Sequence, residues 1–308
     1  MSFDALQEKI IACKNPTVVG LDPKPEYVPP HIRKACYEQY GETLEGAAEA
    51  LCRFNCGLMD ALCGLVPAVK PQSAYYERLG WRGMEALERT IRYAKEKGFF
   101  VIADIKRGDI GSTAEAYADG WLGTTKVGEQ DLSVFDADCV TLNGYMGGDS
   151  VNPFLKVCRQ TDKCTFSLVK TSNPGSGELQ NVTAGEGDTV YGLMADLIEK
   201  WGAGTEGKYG YTMAGAVAGA THPDELKQIR ARMPHTFLLV PGYGAQGGTA
   251  EDVQYAFQAK GRGAIVNSSR GIICAWQKTG KDGADYQEAA RNAAIAMRDD
   301  ICRFITIE

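Results

Sequence analysis

The sequence has no apolar stretch near the roughly 18 residues that a membrane span requires. It also has no CxxC pair among its ten cysteines, and only three histidines. Each absence removes a class of function. A transmembrane protein is not expected. His31, His222 and His235 are scattered and make no ligand spacing, so no metal site is expected. Basic residues do not dominate, since 33 Lys and Arg stand against 39 Asp and Glu for a net charge of −6. With no basic run, nucleic acid is not an expected partner. The opening segment MSFDALQEKIIACKNP carries Asp4 and Glu8 and lacks a basic-then-apolar leader, so no export signal is expected. The cysteines at 13, 36, 52, 56, 63, 139, 158, 164, 274 and 302 are then most simply reduced thiols used as small core residues, in a cytoplasmic protein. The first apolar run ends in LDPKPE rather than in a glycine-rich turn, which argues against a dinucleotide fold and its cofactor. There is no internal repeat or low-complexity segment.

What is present is a 44% hydrophobic chain with a regular alternation. Short apolar runs occur at 17–22, 65–70, 99–106, 138–144, 165–171, 213–220, 236–242 and 263–269. They are nearly continuous in apolar content, as expected of parallel strands covered on both faces. Amphipathic helical patterns fall between them at 44–63, 82–97, 113–122, 190–201 and 223–232, with a last one at 285–304. Eight strands alternating with helices predict an α/β fold, a single (β/α)8 TIM barrel spanning 1–308 as one catalytic domain. The stretches 23–30, 173–187 and 202–210 read as loops inserted between barrel elements.

Barrel enzymes build their sites at the carboxyl ends of the strands. Those ends carry Asp22, Lys70, Asp104, Lys106, Asn143, Thr171, Ser172 and Thr221, followed by the segments 242–248 and 267–271. The densest cluster is ADIKRGDIGST at 103–113. Asp104 and Lys106, two apart on a strand, share a face. Lys70, on the preceding strand, would neighbour Asp104. Asp109 follows at the turn, and Ser112 or Thr113 can cap the next helix. Such a network would fix a protonated lysine suited to proton donation. PGYGAQGG at 241–248 offers backbone amides and Gln246 to an anion, and NSSRGI at 267–272 offers Arg270 and the open backbone at Gly271. Together these segments point to a phosphorylated substrate. Thr171, Ser172 and Asn173 suit either a ring edge or a turn.

Asp104-x-Lys106-x-x-Asp109, with Ile110 and Thr113, resembles the signature of the orotidine 5'-monophosphate decarboxylase family. GLDP (20–23), VKPQSAYYE (69–77), KTSNPGS (170–176), VAGATHP (217–223), PGYGAQGG and NSSRGI resemble its longer bacterial-type (type 2) subfamily. The resemblance runs from about residue 17 to the C-terminus. It implies metal-free and cofactor-free decarboxylation of orotidine 5'-monophosphate to UMP, the last step of de novo UMP synthesis. By that resemblance Lys106 protonates carbon 6 of the pyrimidine, Asp104 faces the substrate carboxylate, and Lys70 links the ribose hydroxyls to the charge network. Asp109, with Ile110 and Thr113, would serve the neighbouring subunit, which implies a homodimer with shared active sites. Asp22 and Gln72 would lie near the ribose, and Thr171 or Ser172 would contact the pyrimidine. Gln246 and Arg270, with the backbone of Gly242 and Gly271, would hold the phosphate, and the glycines of the 240s loop suit closure over it. No diphosphate motif of a fused phosphoribosyltransferase is seen, so a monofunctional chain is expected. The alternatives are a sugar-phosphate decarboxylase or aldolase sharing the Asp-x-Lys-x-x-Asp core, and a non-catalytic phosphate-binding barrel.

Overall fold

A computed structural model describes residues 2–185, 187–244 and 247–308. Eight parallel strands close into a barrel: β1 (Thr17–Leu21), β2 (Ala68–Pro71), β3 (Phe100–Arg107), β4 (Cys139–Leu142), β5 (Cys164–Lys170), β6 (Ala214–Ala218), β7 (Leu238–Val240) and β8 (Ala264–Ser268). They follow one another around the barrel in chain order, and β8 pairs with β1. All eight coincide with apolar runs of the sequence.

Helices cover the outside. Leu44–Leu62, Gly80–Glu96, Gly111–Leu122, Val190–Gly202, Pro223–Arg232 and Tyr286–Ile301 occupy the expected positions. Thr43 and Thr189 cap two of them, accepting from the Gly46 and Gly192 amides. The helix Gly111–Leu122 departs from expectation. Ile110 stands at its N-cap without a side-chain bond, so Ser112 and Thr113 lie inside the first turn and do not cap it. Asp109 instead accepts from the Ile110 amide at 2.8 Å.

Three helices of more than ten residues lie outside the expected pattern. Pro30–Tyr40 begins within a proline-rich segment, and Gly148–Thr161 contains Pro153. The third, Ser2–Cys13, has a structural task. Phe3, Leu6 and Ile10 plug the amino-terminal end of the barrel, packed with Val18, Ile102, Phe166 and Phe237. Phe3 stacks on Phe237 at 5.0 Å and meets Phe166 edge-on at 5.1 Å. Six cysteines are buried (Cys36, Cys52, Cys139, Cys158, Cys164 and Cys274), whereas Cys63 is exposed.

Strand alternation positions the site. Ala68, Ile102, Cys139 and Ile265 belong to the apolar plug. Two residues further along the same strands, and so on the same inward face, come Lys70, Asp104, Thr141 and Asn267. The barrel interior therefore changes from apolar to charged within one layer, towards the carboxyl ends of the strands.

Candidate active site

Asp104 is the centre of that layer. Its Oδ2 accepts from Lys70 Nζ at 2.5 Å, and its Oδ1 accepts from Lys106 Nζ at 2.6 Å and from Thr141 Oγ1 at 2.8 Å. The side chains of Lys70 and Asp104 are 7% exposed, whereas that of Lys106 is 46% exposed. Two members of the trio are thus sunk in the floor, and the third is presented to the cavity. Burial alone would push the Asp104 carboxyl up, but the Lys70 and Lys106 ammoniums hold it well below the usual carboxylate range. Burial likewise opposes the charge on Lys70, and the Asp104 and Asp22 carboxylates overcome that and raise it. The floor is a fixed anion between two lysines.

Regular strand geometry does not extend through this cluster. Lys106 has φ +46°, a left-handed conformation that a lysine adopts only when its surroundings impose it. The β3–β4 register shifts between Ala103 and Arg107. Thr141 supports the bend, since its Oγ1 accepts from the Lys106 amide at 3.0 Å while donating to Asp104. The sequence reading did not include Thr141. A threonine in an apolar run reads as an ordinary strand former, and only its place two residues beyond the inward Cys139 could have flagged it.

Two adjoining cavities lie above the floor. One, of about 280 Å³, is lined by Lys70, Asp104, Lys106, Thr141, Thr171 and Ser172, with an apolar wall of Leu168, Val217 and Leu239. The other, of about 310 Å³, is lined by Asp22, Lys24, Tyr27, Tyr75, Gly242, Tyr243, Ser269, Arg270 and Gly271 among others. They share Pro241 and Asn267. Asp22 Oδ1, Asn267 Oδ1 and Ser269 Oγ are buried without a hydrogen-bond partner among the described residues. All three residues crowd Gly20, where an added methyl would come within 2.9 Å of Ser269 Cβ and within 3.3 Å of both orphan carbonyl-type oxygens. Unpaired buried acceptors of this kind suit a ligand's donors.

The strand ends therefore bring together Lys70, Asp104, Lys106, Asp22, Thr171, Ser172, Gly242, Arg270 and Gly271, as expected. Other expected residues stand apart. Gln72 pairs through its backbone with Asp104, but its Oε1 accepts from the Ala74 amide at 3.3 Å and it lines neither cavity. Asp109 is occupied with the Ile110 amide. Ile110 is 53% exposed and borders an outer groove with Glu115, Asp149 and Pro153, and Thr113 is exposed too. Only three of the four expected charges converge within one chain. The Thr171 hydroxyl is engaged in its own loop, donating to Asn173 at 2.6 Å and accepting from Gln180 at 2.8 Å. Gln246 lies outside the described residues. Beside it in the chain, the Gly244 amide donates to the Gly248 carbonyl and the Gly248 amide to the Gly242 carbonyl.

The profile of the orotidine 5'-phosphate decarboxylase / HUMPS family matches residues 18–281. The chain belongs to this family. It is 43% identical over 300 residues to an orotidine 5'-phosphate decarboxylase of Rhodopirellula baltica, covering 96% of this chain and 97% of that one. It is 41% identical over 302 residues to the namesake of Clostridium perfringens, covering 98% of each. The solved structure of Leishmania donovani OMP decarboxylase superposes with a TM-score of 0.71 at 31% identity, covering 97% of this chain and 98% of that one. Thr17 apart, the family match takes in all eight strands, the charged floor and both cavities.

Proposed function

We propose that this chain decarboxylates orotidine 5'-monophosphate to uridine 5'-monophosphate, the last step of de novo UMP synthesis, with its full-length homology to named decarboxylases as the main support. The structural observation that carries the reading is the buried Asp104 held between Lys70 and Lys106, beneath a cavity that adjoins an Arg270-lined, glycine-bordered one. A phosphate at the second cavity would leave the base over the first. There the wall of Leu168, Val217 and Leu239 suits a flat ring better than a polyhydroxylated open-chain sugar phosphate.

In this reading the bond from carbon 6 to the carboxylate breaks and carbon dioxide departs. The electron pair left in the ring plane takes a proton from Lys106 Nζ, and the neutral amine regains one from solvent. Asp104 faces the substrate carboxylate, so their repulsion is present in the bound substrate and is relieved as carbon dioxide leaves. The Lys106 ammonium gains strength as negative charge develops at carbon 6. Lys70 and Asp22 serve the ribose, Thr171 or Ser172 the pyrimidine, and Arg270, Gln246 and the Gly242 and Gly271 backbone the phosphate. No cofactor has a step in this scheme.

The same proposal has Asp109, Ile110 and Thr113 completing the site of a second subunit, giving a homodimer with shared sites. Support comes from the exposure of Ile110 and Thr113 and from the hydrogen bond of Asp109, which goes to the Ile110 amide and not to the trio. The longer bacterial-type subfamily, a single catalytic domain over 1–308 and a cytoplasmic location belong to this reading as well. The experiment is the ultraviolet absorbance of orotidine 5'-monophosphate incubated with purified protein and EDTA, with Lys106→Ala beside it. Loss of the orotate chromophore with the wild type, slowed about 10³-fold or more in the variant, is expected for a lost proton donor. No loss with the wild type overturns the reading.

A further inference from the structure

Lys170 ends β5 and is 2% exposed, yet it lines neither cavity and touches no member of the Lys70–Asp104–Lys106 trio. A buried lysine is costly to keep unless its partners need it. Its ammonium donates to Asn181 Oδ1, lies 3.3 Å from Glu225 Oε2 and stands 5.7 Å from the centre of the Tyr191 ring. Those partners come from three separate segments: the loop after β5, the helix Pro223–Arg232 that follows β6, and the helix Val190–Gly202. Asn181 Nδ2 closes the triangle by donating to Glu225 Oε1 at 2.9 Å.

The next residue back repeats the pattern around the cavity lip. Gln180 accepts the Thr171 amide at 2.9 Å, donates to the Thr171 hydroxyl at 2.8 Å, and offers its carbonyl to the Tyr191 amide at 3.0 Å. The Lys170 carbonyl accepts the Gly219 amide at 2.8 Å, just where the β5–β6 register shifts. Gly219 is pressed so close that a methyl there would meet Ser172 backbone and Cβ at 3.1–3.2 Å. Residues 170–172 are therefore held from both sides, and the Lys170 charge is the deepest of the holding points.

We propose that Lys170 is a positioning residue, which with Asn181 and Glu225 pins the β5 lip so that Ser172 is held over the pyrimidine-facing cavity. This rests on the decarboxylase reading of that cavity and adds a residue set outside it. Such a clamp would act on recognition of the base and leave recognition of the sugar phosphate alone, since Arg270 and Gly271 lie at the other end of the cavity.

The test compares calorimetric affinity for UMP with that for ribose 5-phosphate, in proteins whose circular dichroism matches the wild type. Stripping one charge from a buried pair can unfold a domain, so Lys170→Met is paired with the double variant Lys170→Met, Glu225→Met, which removes both charges. Asn181→Ala leaves the charges in place and cuts only the tether to the exposed loop residue. The expected result is UMP binding about tenfold weaker in the charge-removal variants, a loss of positioning, and about threefold weaker in Asn181→Ala, a lost hydrogen bond. Ribose 5-phosphate binding stays within about twofold throughout, as expected of an independent site end. Equal losses for both ligands would show general damage and overturn the proposal. So would unchanged UMP affinity in Asn181→Ala, whichever of the others folds. Turnover of orotidine 5'-monophosphate by the wild type, measured in the same series, separates the two failures. An inactive wild type sinks the decarboxylase reading, whereas an active one with unaltered variants sinks the clamp.

Discussion

The two ends of the cavity differ in how far a single chain completes them. At the floor, both oxygens of Asp104 are taken by Lys70, Lys106 and Thr141, and even the Lys106 amide has its partner. In the other cavity, Asp22 Oδ1 and Ser269 Oγ are buried with none among the described residues, as is Oδ1 of Asn267, which both cavities share. The difference is one of purpose. A group that must face developing charge works best when already oriented, because no reorganisation is then needed during the reaction. A group that binds substrate keeps its bonding capacity for the ligand. In the proposed reading the floor serves chemistry and the other cavity, the mouth, capture.

The largest test of that contrast asks whether the floor is in fact complete. Asp109 lies three residues after Lys106, just beyond the end of β3, but takes no part in the trio within one chain. Asp109→Ala and Lys106→Ala should each lose about 10³-fold or more in kcat, as for removal of a reacting or charge-bearing group. If Asp109 acts across a twofold interface, a heterodimer of the two variants contains one intact site. An equal mixture after subunit exchange should then regain about a quarter of wild-type activity, since half the dimers are mixed and each has one working site. No recovery, with exchange confirmed, would leave the floor complete within the chain and remove the shared-site proposal.

A smaller effect is expected at the mouth. Arg270 is exposed beside Gly271 at the start of the short helix Arg270–Ile273. Arg270→Ala should weaken UMP binding about 30-fold, within the range for one lost hydrogen bond to a charged group. Binding of uridine, which lacks the phosphate, should not change. If calorimetry shows both ligands weakened together, Arg270 supports the loop rather than the phosphate.

These ends were also unequally legible in the sequence. The eight strands were readable because parallel strands buried on both faces leave continuous apolar runs. Lys70, Asp104 and Lys106 were readable because charge at a strand end is out of keeping with that background. Their contact was expected from alternation along a straight strand, yet the structure makes it at a bend with Lys106 in a left-handed conformation. Periodicity has no signal for such a bend. Thr141 was hidden for a related reason, since inward and outward threonines look alike until the register is known. The helix Ser2–Cys13 did carry a signal, with Phe3, Leu6 and Ile10 at helical spacing, and these residues plug the barrel. Gly148–Thr161 was obscured by Pro153, which lies past the first turn where proline is usually tolerated. The role proposed for Asp109 rests on a second subunit, and no pattern within one chain can display that.

Thr141 gives the smallest and sharpest of these tests, because it separates orientation from charge. Thr141→Val keeps the shape and the strand preference of the side chain and removes only the oxygen that bonds Asp104 and the Lys106 amide. All three charges remain. If the floor works merely by holding charges near the base, the change should scarcely matter to turnover. If it works because Lys106 is held at a fixed angle by its bent backbone, kcat should fall about tenfold, the equivalent of roughly 1.4 kcal/mol. The affinity for UMP, which is set largely by the mouth, should stay within about twofold. Thermal unfolding monitored alongside should show a loss of about 1–3 kcal/mol, the cost of leaving a buried polar group unsatisfied. A variant destabilised to that extent but fully active would show that the bend at Lys106 stabilises the barrel and has no part in aiming the ammonium.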